Sequence, residues 1–148
     1  MLYIVLDSGP LALIVRPGNL PAAVECRIWA DRHITSGNEI LVPAIVTYEL
    51  RRELLRLNRV TSLKLLDDFI AADPKRYIVL TDDQLKLAAV LWADVRKGGK
   101  PTADPHALDV DVILAAQANS LGKSNLVIAT SNVAHLNRLV PAQDWRTI

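Results

Sequence analysis

Short runs of apolar residues, each followed by a stretch with helical spacing, constrain the fold of this chain more than any other feature. The first run is Leu2-Tyr3-Ile4-Val5-Leu6, which is apolar on both faces. Such a run is typical of a central strand in a parallel sheet, where helices cover both faces. Three further runs occur at residues 40–42, 77–80 and 125–129, and a last short strand is predicted near Trp145.

Helical spacing between these runs predicts the connections of a parallel sheet. Apolar residues recur at helical intervals from Val46 to Leu57, from Leu63 to Ile70, from Leu85 to Trp92 and from Val110 to Leu121. Pro10 fits the first turn of a helix capped by Ser8 or Gly9, and the polar stretch Thr102–His106 is predicted to be a loop. The alternation predicts one α/β domain over residues 1–148, with three α/β/α layers and a mostly parallel central sheet of four to five strands.

Composition excludes several classes of protein. Hydrophobic residues form 51% of the 148-residue chain, which favours a packed core over disorder. The net charge of +1 excludes a chain-wide electrostatic grip on nucleic acid. The single cysteine, Cys26, predicts a buried thiol in a reducing compartment, and no apolar run is long enough to cross a membrane. With no signal peptide recognised, we expect a cytoplasmic protein.

Polar residues follow the apolar runs where a parallel sheet places its sites. Asp7 ends the first strand, Glu49 lies in the helix after the second, and Asp109 and Asp111 open a later helix. Asn132 follows the fourth strand within Thr130-Ser131-Asn132. The carboxyl ends of parallel strands meet at one edge, so we expect these oxygens to converge there. Oxygen ligands without histidine or cysteine favour Mg²⁺ or Mn²⁺.

Each of these residues also has an ordinary structural interpretation. Asp7 and Asn132 could cap helices, and the two later aspartates could favour a helix N-terminus. Glu49 could be solvated, or it could pair with Arg52 or Arg56 on its own helix. The structural interpretations leave unexplained why all four segments face one edge.

Four motifs follow one another from about residue 3 to the end of the chain. The most specific is an aspartate, Asp111, followed two residues later by Ile-Leu-Ala-Ala. Together the motifs resemble those of the PIN-domain ribonucleases, most nearly the VapC-like toxins of bacterial toxin–antitoxin pairs. They are Leu6-Asp7-Ser8, Thr47-Tyr48-Glu49-Leu50, Asp111 to Ala118 and Val127 to Asn132, joined by the shorter matches Gly99-Lys100-Pro101 and Asp144-Trp145.

The resemblance implies a Mg²⁺- or Mn²⁺-dependent endoribonuclease. Asp7, Glu49 and Asp111 would be the metal-binding carboxylates, and Asn132 would occupy the fourth position. A metal-held water would attack phosphorus in line, leaving a 5′-phosphate and a 3′-hydroxyl. No base is needed for a ribose 2′-hydroxyl, so the three histidines, His33, His106 and His135, are interpreted as surface or satisfied side chains.

Two departures from the family pattern bear on the site. Gly9 stands where a polar residue is common, which predicts a looser first loop. The stretch Thr102–Val110 is longer than usual and contributes Asp104 and Asp109. Asp109 therefore competes with Asp111 as a metal ligand, and we favour Asp111 because the Ile-Leu-Ala-Ala spacing counts from it.

RNA contacts are expected beside the acidic edge. Arg52, Arg56 and Arg59 lie along one face of the helix after Glu49, although a solvated face partly paired with glutamates explains them equally well. Ser8 and Thr130 match family positions next to the acids and are expected to contact RNA. Arg96, Lys97 and Lys100 form a second basic patch, and Trp29 and Trp92 are interpreted as core residues.

Three functions remain open at this point. The first is the ribonuclease toxin, with an RNA substrate, a small antitoxin partner and a homodimer that covers aliphatic surface. The second is a catalytically weak or inactive PIN-like module that binds RNA or protein. The third is an enzyme phosphorylated on Asp7, which is disfavoured because the paired acids of such sites are missing after the first strand.

Overall fold

The computed structural model describes the backbone of residues 1–98 and 105–148, and the side chains of residues 1–98 and 108–148. Strands and helices alternate along most of it, as predicted. In chain order the elements are β1 (Tyr3–Leu6), α1 (Ser8–Ile14), α2 (Pro21–Thr35), β2 (Glu39–Pro43), α3 (Ala44–Arg56), α4 (Val60–Ala71), β3 (Tyr77–Ile78), α5 (Asp82–Lys97), α6 (Pro105–Asn119), β4 (Leu126–Thr130), α7 (Val133–Leu136), β5 (Ala142–Asp144) and a closing 3₁₀ turn (Trp145–Thr147).

The five strands form one parallel sheet in the order β3-β2-β1-β4-β5. Ile4 in β1 lies between Ile40 of β2 and Val127 of β4, so the first apolar run is the central strand, as its composition predicts. The chain runs outward from β1 to β3 on one side and from β4 to β5 on the other. A crevice therefore opens between the carboxyl ends of β1 and β4, which is where open α/β sheets bind ligands.

The core lies around the three central strands. Ile4, Val5 and Leu6 have no exposed surface, and Ile128 is equally buried, because helices cover the sheet. Trp29 packs edge-on against Trp145 and is buried, as expected for a core residue. No helix in the described part of the chain is long and apolar enough to cross a membrane.

Several local expectations were wrong. The cap of α1 is Asp7, whose side chain accepts a hydrogen bond from the Ser8 amide, rather than Ser8 or Gly9. Gly9 belongs to α1, so it does not loosen a loop; a Cβ there would lie 3.1 Å from Ser131 Oγ, and the close approach favours glycine. Strand β3 stops at Ile78, because Ile78 pairs with Pro43, the last residue of β2.

The segment before the third acid also differs from its prediction. Helix α6 begins at Pro105, so the last two residues of the predicted loop Thr102–His106 are helical; proline suits the first helical position because it lacks an N–H. The predicted loop residues 102–104, with Asp104, lie outside the described residues, as does Gly99-Lys100-Pro101.

The prediction for Trp92 was wrong, and the prediction for Cys26 is confirmed. Trp92 is 37% exposed and lies under the guanidinium of Arg96, so it is not a core residue. Cys26 is the buried thiol that was expected, and burial raises its pKa to about 12.

Candidate functional site

Asp7 lies at the end of the central strand and is held through both carboxylate oxygens. The Ser8 amide donates to Oδ1 at 2.8 Å, and the Thr130 hydroxyl donates to Oδ2 at 2.7 Å. Thr130 is the last residue of the neighbouring strand β4. It lies beside Asp7 because β1 and β4 pair in parallel, with Leu6 opposite Ala129. Each oxygen accepts one donor and keeps lone-pair capacity for another ligand. The crevice thus contains a carboxylate in a fixed orientation.

Thr130 has no exposed surface and connects Asp7 to the next loop. Its oxygen accepts a hydrogen bond from the Asn132 amide at 2.9 Å while its hydroxyl donates to Asp7. A fully buried side chain cannot contact RNA in this conformation, so Thr130 orients Asp7 instead of meeting the expected RNA. Asn132 is the N-cap residue of α7, as its structural interpretation has it, but its exposed side chain makes no capping hydrogen bond.

Glu49 is half-buried on α3 and makes no ion pair within the described residues. The arginines that could have neutralised it are engaged elsewhere. Arg56 pairs with Glu53, and the Arg52 guanidinium lies 5.2 Å from the centre of the Tyr48 ring. The expected pairing of Glu49 with Arg52 or Arg56 is therefore wrong, whereas a partly solvated Glu49 agrees with the structure, and its charge acts on Asp111.

Asp111 lies on α6 close enough to the other two acids for their charges to affect it. Burial is the main cause that raises its pKa from 3.8 to about 6, and the negative charges of Asp7 and Glu49 act in the same direction. His135 and Arg138 oppose them with positive charge. Three carboxylates from three separate elements therefore share one electrostatic environment.

Asp109 does not join this group. It is exposed and lines a groove between α5 and α6 together with Trp92 and Val112. Two residues apart on a helix is a turn of about 200°, so Asp109 and Asp111 point to different sides. The structure places Asp111 among the acids and Asp109 away from them.

Two side chains that act on Asp111 with positive charge were not predicted from the sequence to belong to the site. His135 was interpreted as a surface or satisfied side chain, and Arg138 was not singled out, yet both act on Asp111. The Arg138 side chain donates to the His135 carbonyl at 3.2 Å, which ties it to the end of α7. Both lie within six residues after Asn132, and this closeness in sequence to the end of β4 is the signal that could have identified them.

The donor set fits a hard divalent cation. The negative charges of Asp7 and Glu49 help to raise the pKa of Asp111, so a positive charge beside Asp111 would relieve this repulsion. Each oxygen of Asp7 accepts one hydrogen bond and keeps lone-pair capacity for a cation. Among residues whose side chains are described, no group of three or more His, Cys, Asp or Glu is drawn together into a ligand cluster. Mg²⁺ does not require one, because it is usually held by one or two carboxylates and several waters.

The remaining predicted contacts lie around this crevice. Ser8 is half-buried in the first turn of α1, where its amide holds Asp7. Arg52 is exposed one turn beyond Glu49, whereas the charge of Arg56 is offset by Glu53. Of the second basic patch, Arg96 and Lys97 lie in the last turn of α5, and Lys100 lies outside the described residues.

Comparison with known proteins gives matches in structure only. No protein-family model matches the chain, and no curated protein does. Among solved structures, the chain is similar to VapBC-1 from nontypeable Haemophilus influenzae, with 21% identity, a TM-score of 0.66, and coverage of 98% of this chain and 99% of the other. It is also similar to VapBC2 from Rickettsia felis bound to a DNA fragment from its promoter, with 15% identity and a TM-score of 0.70. That match covers 97% of this chain and 99% of the other. The match to FitAcB from Neisseria gonorrhoeae has 19% identity and a TM-score of 0.70, and it covers 98% of this chain and 99% of the other.

These matches cover almost the whole length of both chains, so the likeness concerns the entire fold and not one motif. Identities at this level support the fold alone. The five-stranded parallel sheet, with its crevice between β1 and β4, belongs to that shared architecture. The chain therefore has the PIN-like fold of VapC proteins, as the four sequence motifs predict.

Proposed function

We propose that this protein is a divalent-metal-dependent endoribonuclease and the toxin of a toxin–antitoxin pair. The observation that carries the proposal is that Asp7 and Glu49, from two other elements of a PIN-like fold, act on Asp111 with their charges and, together with burial, raise its pKa to about 6. A carboxylate whose pKa is raised by partial burial and by specific neighbouring charges favours a functional site, because its ionised form costs folding stability at neutral pH.

Asp7, Asp111 and Glu49 would hold Mg²⁺ or Mn²⁺. When bound, such an ion supplies an activated water and charge stabilisation for phosphodiester hydrolysis, which yields a 5′-phosphate and a 3′-hydroxyl. The residues of the chain provide the orientation. The Thr130 hydroxyl and the Ser8 amide fix both oxygens of Asp7, and the Asn132 side chain extends the polar edge on the β4 side.

The cations around the crevice would bind the RNA backbone. Arg138 and His135 lower the pKa of Asp111 and are therefore proposed to contact a phosphate held beside it. Arg52 is the better candidate on α3, since the charge of Arg56 is offset by Glu53. Phosphate contacts of this kind position an RNA without reading its sequence. A net charge of +1 leaves recognition to these local contacts.

The proposed partners follow from the same fold. The similar structures are described as VapBC and FitAcB assemblies, so we propose a small antitoxin as the partner of this chain. A homodimer that covers aliphatic surface remains part of the proposal; exposed residues such as Leu55, Val60 and Val90 provide that surface.

Cleavage of RNA tests the function directly. Purified protein is incubated with 5′-labelled single-stranded RNA in the presence of Mg²⁺, Mn²⁺ or EDTA, and the ends of the products are typed with a phosphatase and a ligase. We expect fragments with 5′-phosphate ends in either metal and none in EDTA. Identical patterns in all three would overturn the proposal. RNA retained without cleavage would then indicate the inactive binding module.

The Thr130 hydroxyl gives a second test of the same site. Thr130→Val keeps the shape of a fully buried side chain but removes the donor that holds Asp7 Oδ2. Loss of such a supporting hydrogen bond typically weakens metal binding, and we expect about a tenfold lower Mn²⁺ affinity by calorimetry. Thr47→Val is the matched control, because Thr47 is also a buried threonine but its hydroxyl donates only to the backbone carbonyls of Pro43 and Ala44. Equal affinities of Thr130→Val and wild type would contradict this role.

A further inference from the structure

Helix α3, which carries Glu49, begins without a side-chain cap. Its N-cap residue is Pro43, which makes no capping hydrogen bond. The first backbone N–H groups of a helix have no partner within the helix, so a buried helix start needs an acceptor from elsewhere. Ile45 is buried, and its N–H donates to the side-chain oxygen of Gln117 at 3.1 Å. Gln117 therefore supplies from α6 the acceptor that α3 lacks.

Gln117 is fully buried, and its hydrogen bonds determine its orientation. Its side-chain nitrogen donates to the Ile78 carbonyl at 3.1 Å and to Gln84 Oε1 at 3.2 Å. A backbone N–H can only donate and a backbone carbonyl can only accept, so the amide cannot be reversed. One side chain thus joins the start of α3, the end of β3 and the start of α5 to α6.

This connection lies on the face of α3 that carries Glu49. Ile45 and Glu49 are four residues apart in one helix, so they occupy the same side, one turn from each other. Gln117 and Asp111 both lie in α6, a continuous helix from Pro105 to Asn119. The bond between Gln117 and Ile45 therefore connects the two helices that supply the second and third carboxylates of the site.

We infer that Gln117 is a positioning residue, which sets the distance between Glu49 on α3 and Asp111 on α6 through its hydrogen bond to the Ile45 amide. Gln117 touches neither acid, and its effect passes through the register of the two helices. The expected effect on metal binding rests on the proposed function. The effect of Gln117 on the spacing of α3 and α6 does not depend on that function.

The test measures the helix spacing and the metal affinity separately. Nitroxide labels are attached to Leu55→Cys on α3 and Asn119→Cys on α6, both exposed positions. Cys26 stays unlabelled because it is buried and its pKa is about 12. Distances between the labels are measured by pulsed EPR in the absence of metal, and Mn²⁺ affinity is measured on the unlabelled variants.

Gln117→Met keeps the length of the side chain and removes both hydrogen-bonding groups. We expect a shifted or broadened distance distribution and about a tenfold loss of Mn²⁺ affinity. Gln117→Glu, protonated by burial, keeps an acceptor for Ile45 and a donor for Ile78, and is expected to restore the wild-type distances and affinity. Gln84→Met is the control for general loss of stability, because it removes a partner of Gln117 but leaves the bond to Ile45.

The outcomes separate the two proposals. Unchanged distances in Gln117→Met, or the same change in Gln84→Met, would overturn the positioning role. If wild-type protein binds no Mn²⁺, the proposed function fails, and the distances alone decide the role of Gln117. If Gln117→Met does not fold, Gln117→Glu decides it: distances away from the wild-type values then refute the inference, and wild-type distances support it.

Discussion

Asp111→Asn is expected to abolish RNA cleavage, whereas Asp109→Asn is expected to leave it unchanged. Asp111 shares its environment with Asp7 and Glu49, and the amide cannot supply the negative charge that a divalent ion needs. Loss of an outer-shell partner costs about 10–100-fold in metal affinity, so loss of a direct ligand should lower the cleavage rate by at least about 100-fold. Initial rates with labelled RNA in Mg²⁺ measure the effect.

The paired variant makes this experiment specific. Asp109 is the same residue type on the same helix, two positions away, and it is exposed in the groove beside Trp92. Both substitutions change the charge of α6 equally, so a general electrostatic effect would appear in both. Equal loss of cleavage in the two variants, or a larger loss in Asp109→Asn, would show that the ligand has been assigned to the wrong aspartate.

The metal-free protein is expected to lose stability as the pH rises through the pKa of Asp111. The folded pKa of about 6 lies above the ordinary value of 3.8, chiefly through burial and then through the charges of Asp7 and Glu49. The folded state therefore binds this proton more tightly than the unfolded chain does. The stabilising contribution is fully present below about pH 4 and is lost by about pH 7. Because Asp111 is partly exposed, we expect an effect on the order of 1 kcal/mol.

Urea unfolding in EDTA across this pH range measures the effect. Other carboxyl groups also titrate there, so the quantity of interest is the difference in unfolding free energy between wild type and Asp111→Asn. The variant should match wild type at about pH 4 and exceed it at about pH 7, because it carries no charge to bury. Asp109→Asn provides the control. A constant difference between wild type and Asp111→Asn would refute the raised pKa.

The sheet and most of its helices could be predicted because their sequence signals are local, whereas α2 (Pro21–Thr35) was not predicted. Each apolar run carries its own evidence, and the central position of β1 follows from its being apolar on both faces. The short edge strand β3 was predicted too long, since its end depends on pairing with β2 and not on its own composition. The start of α6 was placed too late because Pro105 and His106 are compatible with a loop as well as with a first helical turn.

For the candidate site too, the residues could be predicted from the sequence and their contacts could not. The residue types Asp7, Glu49, Asp111 and Asn132 were identified from their positions after strands, but their partners were not. The hydroxyl of Thr130 that holds Asp7, and the Gln117 amide that holds α3, join residues separated by 123 and 72 positions. No local pattern reports such contacts, because they exist only when the strands and helices have packed.

The sequence by itself determined the class of fold, the edge at which polar residues gather, and a donor set made of oxygen. Periodicity and residue chemistry suffice for these, because they depend on neighbours along the chain. Only the tertiary structure shows that Asp111 is affected by the charges of Asp7 and Glu49 while Asp109 lines another groove, that Thr130 is buried, and that His135 and Arg138 act on Asp111. Those outcomes depend on which side of a helix faces the crevice and on burial, and both arise only from the packing of distant segments.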